Sequence, residues 1–136
     1  MIKTRTFLLP ILLLFALSGC SSLLPAQTEL SMVISDNSFQ PGSWRVPSGA
    51  GITLHITNYD SVTHDLQILF RQAVIPYGPE DASSIYWQHQ IAANTSETVH
   101  FTAPAAAGDY DVIGADALQD GMVARLTVLR LDQIQP

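Results

Sequence analysis

The stretch that decides the fold is GDYDVIGADALQDGMVARLTVL, residues 108–129. GDYDV at its start and VARLTVL at its end have the composition and alternation of half-buried β-strands. The loop between them is too long for a simple hairpin turn, contains neither histidine nor cysteine, and ends in Gly121-Met122. The functional interpretation depends on whether this loop holds a metal or only connects two strands.

The rest of the chain from Glu29 onward shows the same period of two. Candidate strands with alternating apolar residues are ELSMVIS (29–35), GITLHITN (51–58), HDLQILF (64–70) and ETVHFT (97–102). In the third of these we expect Leu66, Ile68 and Phe70 to share one face. Turn residues separate the runs, and no segment of ten or more residues after the N-terminal region has a helical period. These features predict an all-β sandwich or barrel.

Residues 71–95 depart from the strand pattern. A featureless loop of this length would be unusual, so we expect it to have structure or function of its own, with IYWQH as one more short strand. Tyr77, Tyr86 and Trp87 are expected to pack over the sandwich, because large aromatic side chains usually bury their area. The alternative is that these three residues form a contact surface.

The N-terminus indicates an exported protein with a lipid anchor. Lys3 and Arg5 precede the apolar run FLLPILLLFAL, which has the length of a signal-peptide core and is shorter than the roughly 20 residues of a transmembrane helix. Leu17-Ser18-Gly19-Cys20 follows at once and resembles the lipobox of bacterial lipoproteins. The resemblance implies cleavage before Cys20 and acylation of that residue. An ordinary secretory signal followed by a chance cysteine is the alternative.

This interpretation divides the chain into a signal peptide (1–19), a lipidated cysteine with its tether (20–28) and a folded domain (29–132). The protein would be anchored in the cell membrane or outer membrane and face the periplasm or the exterior. Ser21 would favour the outer membrane in a bacterium with two membranes. Cys20 is the only cysteine, so no intrachain disulfide can form and Cys-rich zinc sites are excluded.

Cleavage would leave an acidic protein. Four arginines and no lysine would stand against twelve acidic residues, for a formal net charge of −8. Nucleic acid and anionic lipid headgroups are poor partners for such a surface, whereas a basic protein or a cation would be attracted to it. Solubility alone would also explain the acidity.

Several motifs in order resemble the cupredoxins, and in particular the plastocyanin-like or small bacterial group. The matching stretches are Phe39-Gln40-Pro41, Trp44-Arg45-Val46 with Ser48-Gly49, GITLHITNYDSVTHDLQI (51–68), FTAPAAAGDYDV (101–112) and Gly121-Met122. Each motif is weak alone, but their order and spacing cover most of residues 30–130. The resemblance implies a Greek-key β-sandwich of seven or eight strands.

The resemblance also implies where copper ligands would stand. A blue copper centre needs two imidazoles, a thiolate and a weak axial methionine. His64 and Met122 match two of these positions. Counted back from Met122, the family's loop pattern puts its second histidine at Ala117 and its cysteine at Gly114, and Tyr110 gives the same register. No other cysteine can replace the thiolate, so we expect no type 1 copper site.

Two weaker metal sites are alternatives. His64 and Met122 could bind Cu(I), with His89, Asp65, Asp116 or Asp120 completing the site; otherwise His64 is a capped or exposed residue and Met122 fills the core. His55 and His100 could share a surface metal if the strand register places them opposite each other, about 5 Å apart at their Cβ atoms. Two solvated histidines are the simpler interpretation.

We expect no enzymatic activity, because G-x-S-x-G, a phosphate-binding glycine loop and H-E-x-x-H are all absent. We also expect no cofactor, with copper at His64 and Met122 as the alternative. The favoured function is a membrane-anchored binding or accessory module of the cell envelope that has an envelope protein as its partner. The alternatives are a copper-handling protein and a structural component of a larger respiratory or metal-uptake assembly.

Overall fold

Alternating apolar residues form the strands that the sequence predicts. The computed structural model describes residues 25–134, so the signal peptide, Cys20 and the tether up to residue 24 lie outside the described residues. The strands are β1 (Glu29–Ser35), β2 (Ser38–Gln40), β3 (Ser43–Pro47), β4 (Gly51–Asn58), β5 (His64–Leu69), β6 (Ile85–Ile91), β7 (Ser96–Thr102), β8 (Gly108–Gly114) and β9 (Val123–Leu129). A short helix α1 (Pro79–Ala82) and two 3-10 turns, Leu118–Asp120 and Leu131–Gln133, complete the described chain.

The strands form two packed sheets. One sheet has the order β2-β1-β4-β7 and the other β3-β9-β8-β5-β6. β1 pairs with β4 and β3 with β9 in parallel, while the remaining neighbours are antiparallel. The predicted all-β sandwich is confirmed. The nine strands exceed the expected seven or eight, partly because the three-residue β2 pairs separately with the end of β1.

The core lies between the sheets, and its inward residues follow the period of two in β1 and β4. Leu30, Met32 and Ile34 of β1 and Ile52, Leu54 and Ile56 of β4 are all at most 4% exposed. Phe70 contacts Tyr86 and Tyr110 of the main core, to which Leu66 and Ile68 belong, whereas Leu69 packs in a separate apolar cluster, so the expected shared face is retained. Phe70 is nevertheless 59% exposed, because it lies just past the end of β5.

Residues 71–84 have a structure of their own. Leu69 packs with Ile113 and Leu118 in a second apolar cluster, against which Tyr77 also packs. The segment is held by the fully buried carboxylate of Asp81, which accepts hydrogen bonds from the backbone N–H groups of Val74 (2.8 Å) and Gly78 (2.9 Å).

The predictions for the aromatic residues and for IYWQH are confirmed. Tyr86 and Trp87 are partly buried against the main core, and Tyr77 is partly buried against the second cluster. IYWQH lies within β6.

The strand directions define two ends of the sandwich. β1 and β4 run in the same direction, and Gly51 at the start of β4 pairs with Thr102 at the end of β7. The end where β1 starts, which we call the tether end, comprises residues 25–28, the turns 47–50 and 103–107, residues 130–134, and Phe70 and Arg71, which follow β5 where it ends beside the start of β8. The opposite end, which we call the loop end, comprises residues 36–37, 59–63, 92–95 and 115–122. Within residues 25–134 no helix is long and apolar enough to cross a membrane.

Candidate functional site

Asn58 organises the loop that precedes His64. Its side chain is 1% exposed, and its amide nitrogen donates to the carbonyl oxygens of Val62 (2.9 Å) and Ala92 (3.1 Å). Its amide oxygen accepts a hydrogen bond of 3.0 Å from the backbone N–H of Asp60. One buried side chain therefore joins two loops of the loop end and places the Asp60 carboxylate beside the first residue of β5.

His64 is fully buried between two carboxylates. Its Nδ1 lies 2.8 Å from Oδ2 of Asp116, and its Nε2 lies 2.9 Å from Oδ2 of Asp60. A neutral imidazole has a single N–H and can donate to only one of these acceptors. In the folded protein each ring nitrogen is within hydrogen-bond distance of a carboxylate oxygen, so neither nitrogen faces an open site.

The two carboxylates bind further backbone groups. Asp60 accepts hydrogen bonds from the backbone N–H groups of Asp36 (2.7 Å) and Asn37 (3.1 Å). Oδ1 of Asp116 accepts one of 2.8 Å from the N–H of Asp65. Burial acts to raise the pKa of Asp60, but these backbone bonds and the neighbouring His64 outweigh it, so the pKa of this carboxyl lies below its usual value. His64 and its two partners thus connect three segments of the loop end.

Met122 fills the space beside Gly114. The Met122 side chain is fully buried, and a Cβ atom added at Gly114 would lie 2.2 Å from its Sδ and 2.9 Å from its Cγ. A side chain at position 114, where the resemblance would put the thiolate, cannot coexist with this methionine conformation. Ala117, at the second imidazole position, is 4% exposed and offers no ligand atom. The residues present therefore do not fit a type 1 copper ion.

The other predicted ligands are separated by their own contacts. His89 bonds to Glu97 (2.7 Å), the Asp65 carboxylate to Gln67 (3.1 Å), and the Asp120 carboxylate accepts from Asn37 (3.3 Å). Only Asp116 of this group contacts His64. Within the described residues no group of three or more His, Cys, Asp or Glu side chains is placed to hold a metal ion.

Asp60 is the site residue that sequence reasoning missed. The signal was its position in the Asn58-Tyr59-Asp60 turn, four residues before His64. A carboxylate in a turn next to a buried histidine is a candidate partner for it, but the turn conformation that brings the two together depends on Asn58.

His55 and His100 are not opposite each other. The register of β4 and β7 pairs His100 with Thr53 and His55 with Thr98, an offset of two residues. Each histidine bonds to the threonine across from it, at 3.2 Å for His100 and 2.9 Å for His55. His55 also bonds to Glu29 at 3.0 Å. The directly opposed pair considered from the sequence is therefore not formed.

The fold resembles that of solved auracyanins. A dithionite-reduced auracyanin from the photosynthetic bacterium Roseiflexus castenholzii matches with a TM-score of 0.62 and 26% identity, over 76% of this chain and 98% of that one. Auracyanin B matches with a TM-score of 0.60 and 19% identity, over 78% and 91%. Auracyanin A, a "blue" copper protein from Chloroflexus aurantiacus, matches with 0.59 and 21%, over 74% and 98%. No protein-family model and no curated protein matches the sequence.

Gly114→Ala should destabilise the domain by about 1–3 kcal/mol in urea denaturation, because the new methyl group overlaps Met122. In Gly114→Ala/Met122→Ala the methyl group meets no sulfur, so the double variant should lose less stability than the sum of the two single variants. Gly42→Ala is the control, since a Cβ at Gly42 meets nothing within 4 Å. Additive losses would show that Met122 does not occupy this space.

Asp60→Asn should reduce the free energy of unfolding by about 1–3 kcal/mol at pH 6, through weaker hydrogen bonds to His64 and the backbone. Because the pKa of Asp60 is lowered by folding, its contribution is complete above the unfolded-state value of about 3.9 and is lost as the pH falls through the folded-state value. Urea titrations at pH 6, 4 and 3 should therefore show a shrinking difference from wild type. Asp36→Asn, at an exposed neighbour, is the control; a difference independent of pH would contradict this account.

Proposed function

The described part of this chain is a cupredoxin-like domain, and we propose that it is a non-catalytic binding module held at the cell envelope by a lipid on Cys20. The single observation that supports the proposal is the set of contacts that His64 makes. Both of its ring nitrogens bind carboxylates, where a copper ligand would keep one nitrogen for the metal.

Electron transfer by a blue copper centre is not supported by the residues of this loop. Such a centre depends on a copper–thiolate bond, and the sequence has one cysteine, in the tether. Met122 is packed against Gly114 rather than directed at an open site. A methionine in this conformation stabilises the core as an apolar side chain.

In this proposal a partner protein binds the loop end through the shape and the negative charge of its surface. Asp36, Asp116 and Asp120 lie in its turns, and its loops contain no lysine or arginine. Tyr59 and Val62 are 67% and 50% exposed beside them. An envelope protein with a basic surface is the partner that this combination favours.

Copper handling through His64 and Met122 is the alternative function. It would require Cu(I) to displace Asp60 or Asp116 from the imidazole and Met122 from its buried position. The observations above oppose each of these steps, so this alternative is kept as an outcome of the experiment below.

The purified domain should bind neither Cu(I) nor Cu(II) at one-to-one stoichiometry, and it should have no intense visible thiolate band after copper addition. Metal analysis, competition titration and absorption spectroscopy measure this directly. His64→Ala and Met122→Ala should match wild type in the titration. Tight binding of one Cu(I) that both substitutions abolish would establish the copper-handling function instead.

The full chain should be found in the membrane fraction of its bacterial host, and Cys20→Ser should not be acylated there. Mass spectrometry of the N-terminal peptide identifies the acyl chains, and Ser22→Ala serves as the control that keeps the lipobox. Wild-type protein with an unmodified Cys20 thiol would contradict the lipid anchor.

A further inference from the structure

One end of the lipid-anchored domain has a surface suited to contact with a lipid bilayer. We propose that the tether end rests on the lipid surface, with Phe70 and Leu131 among the headgroups, and that the loop end with His64 faces away from the membrane. This inference extends the proposed function and uses its lipid anchor, but the surface itself is defined by described residues.

The tether leaves the domain at this end. The backbone N–H of Gln27 donates to the carbonyl of Arg45 (2.8 Å), and the N–H of Thr53 donates to the carbonyl of Thr28 (2.9 Å), so the chain is fixed to the sandwich from there on. The seven Cα-to-Cα steps from Cys20 to Gln27 span at most about 25 Å. This reach is about the length of one seven-residue strand. Turning the loop end to the bilayer would therefore need a fully stretched tether running along the whole sandwich.

Large apolar side chains are exposed at the tether end. Leu131 is 75% exposed and Phe70 is 59% exposed. Phe70 is placed there by Tyr86 and Tyr110, whose ring centroids lie 5.1 Å and 6.4 Å from its own.

The hydroxyls of both tyrosines donate to carbonyl oxygens of the tether end. Tyr86 donates to Thr102 at 2.7 Å and Tyr110 to Ala106 at 2.6 Å. The same turn exposes three consecutive alanines, residues 105–107. Aromatic and aliphatic side chains of this kind are stabilised at the boundary between headgroups and acyl chains.

The charges of the two ends favour the same orientation. Arg71 follows Phe70 and Arg130 precedes Leu131, and both are exposed, at 42% and 67%. Their ion pairs with Glu80 (3.0 Å) and Asp132 (3.7 Å) are exposed too and therefore weak. Arginines beside apolar side chains can bind lipid phosphates while their neighbours enter the interface.

The loop end has the opposite character. Its turns contain four aspartates and no basic residue except the buried His64 at their edge. Lipid phosphates repel a surface of this charge. Tyr59 and Val62 are nevertheless as exposed there as Phe70 is at the tether end, so they provide matched control positions.

The test attaches residues 20–136, labelled with nitrogen-15, to a maleimide phospholipid through the Cys20 thiol, in phosphatidylcholine nanodiscs that contain a gadolinium-chelating lipid. We expect loss of the amide signals of residues 105–107 and 130–133, and no loss at 36–37 and 92–95. Equal loss at both ends, loss at the loop end alone or no loss at either would overturn the proposal. Chemical coupling replaces acylation here, so a failed lipid anchor in the host and a failed orientation are separate results.

Paired variants test the side chains. Phe70→Ser/Leu131→Ser should weaken the signal loss at the tether end, where the short tether alone still keeps the domain near the bilayer, while Tyr59→Ser/Val62→Ser should leave the wild-type pattern unchanged. An unchanged pattern in the first variant would overturn the role of these two residues. Signal loss at the tether end without gadolinium lipid, increasing with the amount of protein, would show that a second copy of the chain covers this end instead.

Discussion

The loop end depends on one constraint: a buried imidazole needs a polar partner at each ring nitrogen. A buried polar group without a partner costs about 1–3 kcal/mol, and Asp60 and Asp116 lie at the two ring nitrogens of His64 inside the sandwich. Asp60 in turn holds the Asp36-Asn37 turn, and Asp116 holds the start of β5 through Asp65. In a blue copper centre, metal bonds would join loops in this position. Here hydrogen bonds between one imidazole and two carboxylates connect them.

Met122 completes this arrangement from the core side. Its thioether lies against the backbone of Gly114, so the volume of a missing side chain is filled rather than left as a cavity. A cavity there would cost stability in proportion to its size. The loop between β8 and β9 therefore closes the sandwich as packed protein, and its aspartates are available for surface interactions. In this arrangement the loop contributes packing to the sandwich rather than ligands to a metal ion.

The two-residue period of the strands and the order of the motifs made much of the fold predictable from the sequence. The alternation in β1 and β4 placed their inward residues correctly, and the resemblance to cupredoxins implied that positions 114 and 117, a glycine and an alanine here, lack ligand side chains. The exposure of Phe70 was not predictable, because it lies just past the end of β5 and a period of two does not show how much of its side chain the neighbouring elements cover. The offset of His55 from His100 depends on strand pairing, which a period of two does not specify.

Which carboxylates bind His64 depends on the directions of their side chains, and the sequence pattern does not specify these directions. Asp60 reaches the imidazole because Asn58 fixes the intervening turn. Asp116 reaches it because the preceding residue, Ala115, donates its backbone N–H to the carbonyl of Asp65 and keeps the start of the loop beside β5. Neither contact follows from local propensity. Carboxylates in turns are common and usually solvated, so only the assembled loops distinguish these two from Asp120 or Asp65.

The most direct measurement is the nitrogen-15 NMR spectrum of the His64 ring at neutral pH, with and without one equivalent of Cu(I). If Asp60 and Asp116 occupy both ring nitrogens, the ring should show a slowly exchanging N–H hydrogen-bonded to a carboxylate, and its nitrogen resonances should not change on addition of copper. A ring nitrogen whose resonance shifts when one equivalent of copper is added would contradict this arrangement and show that His64 remains a metal ligand.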